Sequence, residues 1–163
     1  MRPHYSPSNR SNSGYLSQQD LFAEIGWDEF VGNPNYHNTC AIRVSLALAK
    51  AGRAVSPGSH RILKGPHQGK RLEVNMRRLA SLLATPAWLG TPETLAGPRP
   101  ANGVRGRPGI IAFHGIPGFS GGGHIDLIAA AEGCASDCYF NSREVWFWPL
   151  PLSRPAGLRN ARV

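Results

Sequence analysis

At 163 residues, with 18 Lys+Arg against 10 Asp+Glu and a formal net charge of +8, the chain has the length of one compact domain with a real hydrophobic core. It contains no run of about twenty apolar residues, so no membrane-spanning helix and no membrane partner are expected. The charge favours an anionic partner, but the basic residues are mostly scattered Arg, with no dense run and no aromatic-plus-basic module, and nucleic acid is not expected as a ligand.

Residues 1–19 are polar and rich in Ser, Asn and Pro, a composition too poor in apolar groups to fold alone; they are expected to form a flexible tail before a domain over 20–152. The opening residues lack the apolar stretch of a signal peptide, so a secreted form is expected to leave by a route that reads no cleavable leader. From Asn33 to Asn38 the chain reads as a turn, with Asn38 or Thr39 placed to cap the helix that follows. Cys40 to Ala51 contains helix formers throughout, is apolar on nearly every face, and is followed by Gly52, which predicts a buried central helix. A second, amphipathic helix is predicted from about Leu72 to Leu83, with Leu72, Met76, Leu79, Ala80 and Leu83 on its inner face. The stretches 53–71 and 84–108 are dense in Gly, Pro and basic residues and read as long loops. Three short apolar runs, at 109–114, 124–128 and 145–148, have the content of an antiparallel sheet. The linker 115–123 holds a cluster of glycines before His124 that would let a substrate backbone come close. Residues 153–163 read as a basic tail.

Three cysteines, Cys40, Cys134 and Cys138, suggest one pair plus one free thiol; Cys134 and Cys138 are close in sequence and Cys40 is left over. A cysteine in the first turn of a helix sits where unpaired backbone N–H groups and the helix dipole favour a thiolate and a developing oxyanion. His124, at the start of a strand behind a glycine-rich loop, is the expected base for it, preferred over His37, which lies on the turn. Asp126 and Asp137 compete as the group that orients the imidazole. Asp126 shares a strand face with His124 but lies about 6.5 Å along it, so strand geometry favours Asp137, after the next turn. A zinc site built on Cys134, Cys138 and a histidine is disfavoured by the spacing and the lack of a fourth ligand, and neither metal nor cofactor is expected.

The stretch Asn38-Thr39-Cys40-Ala41-Ile42-Arg43-Val44-Ser45-Leu46-Ala47-Leu48 resembles the nucleophile helix of the fourth family of type VI secretion amidase effectors. The runs 106–111, 123–127, 134–140 and 145–150 resemble further blocks of that family in the same order. The resemblance spans about residues 33–150 and implies an α+β, papain-like fold of the NlpC type, with a central nucleophile helix packed on an antiparallel sheet. It implies a secreted antibacterial enzyme that cleaves the D-glutamyl to meso-diaminopimelate bond of the peptidoglycan stem in the periplasm of a target cell. A cognate immunity protein, expected to be acidic, and a component of the secretion machinery are its implied partners. By position, Cys40 becomes the nucleophile, His124 the base, and an acid bracketed by Cys134 and Cys138 the orienting group; that acid stands two residues after the first cysteine in the family, whereas Asp137 stands three after Cys134. Cys134 and Cys138 are expected to form a disulfide, and Tyr36, Asn38 and Gly123 to contact substrate. Rival readings are a papain-like protease or transglutaminase-like enzyme acting on protein, or a basic binding module without catalysis.

Overall fold

The computed structural model describes residues 4–96, 99–129 and 133–150. The basic stretch 153–163 and its expected behaviour lie outside them.

The predicted central helix is α2, Cys40–Lys50, and every residue from Cys40 to Ala49 is buried. Its Ala- and Leu-rich sequence explains both properties, because small and straight-chain residues lose little entropy in a helix and present an apolar surface all round. Gly52, at φ 85°, follows its end, where Arg53 N–H donates to Leu48 O at 2.8 Å. α3 runs from Met76 to Leu83, shorter than the sequence suggests: Asn75 caps it by accepting from Arg78 N, and Met76, Leu79, Ala80 and Leu83 are buried. Leu72, assigned by periodicity to this helix, instead belongs to β2 (Arg71–Leu72), which pairs antiparallel with β1 (His60–Arg61). A local cap and a strand partner outweighed helical periodicity here, and the stretch 53–71 is less loop-like than its composition.

The expected sheet is present and antiparallel. Among the described residues it has five strands in the order β3 (Glu93–Thr94), β7 (Glu144–Pro149), β4 (Gly109–His114), β5 (His124–Ala129), β6 (Gly133–Cys134). The register pairs Phe113 with His124 and Ile111 with Asp126. Alternation along the strands divides the packing: Ile110, Ala112, Ile125 and Leu127 join α2 and α3 in one core, while Ile111, Phe113, Ile128 and Phe147 form another. This is the expected α+β arrangement of a central helix on an antiparallel sheet, and it sets the N-terminus of α2 beside the first residue of β5.

The N-terminal stretch departs from expectation. A helix, α1 (Gln18–Ile25), begins within it, capped by Ser17 and buried through Leu21, Phe22 and Ile25. Residues 6–16 before it are tied to the domain by Arg43 of α2, which is 3% exposed. The Arg43 guanidinium donates to Thr39 Oγ1 (2.8 Å), Ser6 O and Pro7 O (3.0 Å each) and Leu16 O (2.8 Å). Composition described this segment as a tail because it has little apolar surface to bury. Its order comes instead from carbonyl groups that satisfy a buried cation, and each such bond to a charged donor contributes about 1.5–3 kcal/mol.

Candidate active site

Cys40, the free cysteine, is 4% exposed at the first position of α2. The two expected caps divide the work: Asn38 Oδ1 accepts from Cys40 N–H at 3.2 Å, whereas the Thr39 hydroxyl is turned to Arg43. Cys40 lies in a cleft of about 230 Å³ lined by Ser8, Asn38, Phe119, His124, Asp137 and Tyr139, among others. The glycine-rich loop forms part of the rim, with Phe119 exposed. Arg77 of α3 ties that loop down by donating to Gly122 O at 3.1 Å.

His124 opens β5 and is 8% exposed. Its ring is stacked against Phe113, with centroids 6.2 Å apart, and meets the Tyr139 ring at 5.2 Å. Nε2 faces Asp126 Oδ2 at 3.9 Å and makes no hydrogen bond; that separation is an ion-pair contact beyond hydrogen-bond reach. Burial works against the imidazolium, but the Asp126 carboxylate and the Cys40 sulfur more than offset it and raise the His124 pKa to about 9. The imidazole thus has Asp126 at Nε2 and shares the cleft with the Cys40 thiol, whose influence on its pKa shows the two are close enough to exchange a proton.

Asp126 is fully buried. Its Oδ1 accepts from Tyr5 OH at 2.6 Å and Leu127 N–H at 2.8 Å, and its Oδ2 accepts from Ser136 N–H at 2.6 Å. Ser136 is presented by the short loop that the Cys134–Cys138 disulfide closes, S–S 2.03 Å. Asp137, favoured by sequence geometry, is exposed and lines the cleft with no hydrogen bond to His124. Rise along a strand separates His124 from Asp126 by about 6.5 Å, yet their side chains approach to 3.9 Å.

Among the expected substrate contacts, Asn38 is on the cleft wall, its Nδ2 3.5 Å from Gly123 O. Tyr36 is elsewhere: its hydroxyl bonds His60 Nε2 at 2.8 Å, and its ring stacks on Phe30 within an aromatic group that includes Phe22 and Trp27. Gly123, at φ 125°, is buried, and a Cβ there would meet Phe113 O at 2.2 Å and Met76 Cε at 2.6 Å; close backbone packing, not substrate access, requires glycine at that position. Sequence reading missed Tyr5, Ser8 and Ser136, which have no motif; Tyr5, an aromatic residue inside a polar stretch, was the one available signal. No group of three or more His, Cys, Asp or Glu among the described residues is arranged to hold a metal ion.

A thiol at the N-terminus of a buried helix, facing an imidazole that is backed by a buried carboxylate, defines a papain-like cysteine hydrolase. Comparison with known proteins narrows the class. The family described as "Type VI secretion system (T6SS), amidase effector protein 4", Tae4, has a model that matches residues 36–148, and the chain belongs to that family of peptidoglycan-hydrolysing amidases. The fold is similar to that of Tae4 in the Tae4–Tai4 effector–immunity complex from Enterobacter cloacae, with a TM-score of 0.65 and 23% identity over 83% of this chain and 90% of that one. Tae4 from Salmonella typhimurium, bound to the Enterobacter cloacae immunity protein Tai4, gives a TM-score of 0.66 at 23% identity over 83% of this chain and 91% of that one. Tae4 from Enterobacter cloacae solved by itself gives 0.66 at 23% identity, covering 83% and 88%. No curated protein matches the chain significantly.

Proposed function

We propose that this amidase cuts the D-glutamyl to meso-diaminopimelate bond of the peptidoglycan stem in the periplasm of a target cell, with Cys40 as nucleophile, His124 as base and Asp126 as the orienting carboxylate. The observation that carries the reading is the single cleft in which the free thiol and the imidazole meet, with a fully buried carboxylate behind the ring. The proton of the Cys40 thiol passes to His124, which holds it as the imidazolium, and the sulfur attacks the glutamyl carbonyl. The carbonyl oxygen, becoming negative, takes the place of Asn38 Oδ1 on Cys40 N–H at the positive end of α2. The imidazolium then protonates the departing amine of diaminopimelate, and water, deprotonated by the same imidazole, releases the thioester. Digestion of purified muropeptides followed by mass spectrometry tests bond and substrate together: products ending in D-glutamate, with a new free amine on diaminopimelate, are expected. Cleavage at another bond, or of protein substrates alone, would refute this assignment.

The raised His124 pKa sets an expectation for pH. The imidazolium is the proton donor to the leaving amine, so kcat/KM should fall as pH rises through about 9. Because the folded pKa lies above the ordinary value of about 6.5, the same group stabilises the fold fully below that value and loses its contribution as pH rises through about 9. A rate profile that stays flat to well above pH 9 would contradict the role of His124 as acid.

Both of the similar complexes pair a Tae4 with the immunity protein Tai4. An acidic immunity protein that covers the cleft beside Cys40 is the partner we propose for this chain, given its net charge of +8. Its association rate should decrease as salt increases; a salt-independent rate, or a complex in which Cys40 still reacts with a covalent thiol probe, would count against it.

A further inference from the structure

We propose that the segment from Tyr5 to Leu16 is a strap that completes the catalytic site and that Tyr5 is a positioning residue, acting on His124 through Asp126. The inference rests on the reading of Asp126 as the orienting carboxylate. The strap lies outside residues 36–148 that match the family, and its contacts are specific. Tyr5 OH donates to Asp126 Oδ1 at 2.6 Å and lies 3.4 Å from Ser136 Oγ. Ser8 N–H donates to Ser136 Oγ at 3.1 Å, and the amides of Asn9 and Asn12 donate to Ser136 O and Ala135 O, both at 3.2 Å. Arg43, three positions after the nucleophile on α2, grips the strap at Ser6, Pro7 and Leu16 through their carbonyls.

The strap therefore touches all three parts of the site: the nucleophile helix through Arg43, the carboxylate through Tyr5, and the cleft wall through Ser8. A buried carboxylate keeps one orientation when all its oxygens are occupied. The backbone N–H groups of Leu127 and Ser136 supply one donor to each oxygen, and among the described residues the phenol is the side-chain donor that completes the set. Burial and the neighbouring Asp126 charge hold the Tyr5 pKa well above its ordinary value, so the phenol remains a donor. Asp126, fixed in this way, presents Oδ2 to His124 Nε2.

Tyr5→Phe removes the one hydroxyl and keeps the ring. With soluble muropeptide as substrate and active enzyme counted by alkylation of Cys40, kcat should fall about tenfold, the scale of a lost hydrogen bond to a charged group. KM should stay within about twofold because the phenol acts behind the imidazole, and the melting midpoint reports that the variant is folded. In the Asp126→Ala background, Tyr5→Phe should cost nothing further, since its target is gone. Wild-type kcat in folded Tyr5→Phe, a loss carried by KM, or an equal loss in the Asp126→Ala background would overturn the strap proposal. Full activity of Asp126→Ala beside dead Cys40→Ala would instead overturn the reading of Asp126 on which it rests.

Discussion

Cys40→Ala and His124→Ala are each expected to lower turnover on peptidoglycan by at least about a thousandfold, and the double variant should be no worse than either single one. The reason is that the thiol and imidazole form one proton-transfer unit, so removal of either disables both. Neither change should unfold the protein. Cys40→Ala trades a small buried group for a smaller one at a position where alanine is the best helix former. His124→Ala leaves Asp126 with its three remaining donors, from Tyr5, Leu127 and Ser136, so no new buried acceptor is orphaned. Release of soluble fragments from sacculi, measured alongside thermal melts, checks the prediction. Near wild-type release by either folded variant would remove that residue from the mechanism.

The parts of the fold that were legible in the sequence are those whose signal is apolar and local. α2 announces itself through unbroken helix formers ending at Gly52, and the runs containing Ile110, Ile125 and Phe147 give the sheet. Cys40 and His124 could be chosen because their chemistry needs a helix end and a strand beside a loop, both readable from neighbours. What stayed hidden depends on partners far along the chain. Nothing local to Arg43 shows what satisfies its charge inside a buried helix: its partners are backbone carbonyls 27 to 37 positions away. Tyr36, expected to contact substrate, has its hydroxyl bonded to His60, in a stretch read as loop. Gly123 shows that a glycine beside a candidate base answers to packing as readily as to substrate.

The identity of the orienting acid is the sharpest remaining contrast between sequence and structure, and it yields a ranking of variants. Asp126→Ala is expected to lower kcat by about a thousandfold, while Asp137→Ala should cost less than about tenfold and act mainly on KM. Asp126 sits 3.9 Å from the far nitrogen of His124 and is shielded from solvent, so its charge acts on the imidazolium with little screening. Asp137 is exposed on the cleft, where water weakens any action on the ring but leaves the carboxylate free to meet substrate. Removing Asp126 also strands the donors of Tyr5, Leu127 and Ser136, each at a cost of about 1–3 kcal/mol, so stability has to be separated from catalysis. Asp126→Asn does this: it keeps one carbonyl oxygen and much of the packing but loses the charge, and should remain folded with kcat still at least a hundredfold down. Steady-state kinetics on soluble muropeptide at neutral pH, with melting curves for all three variants, gives the answer. If Asp137→Ala proved the more damaging, with Asp126→Asn folded and active, the orienting role would pass to the acid between the two cysteines, and the 3.9 Å contact would be a structural ion pair without a part in turnover.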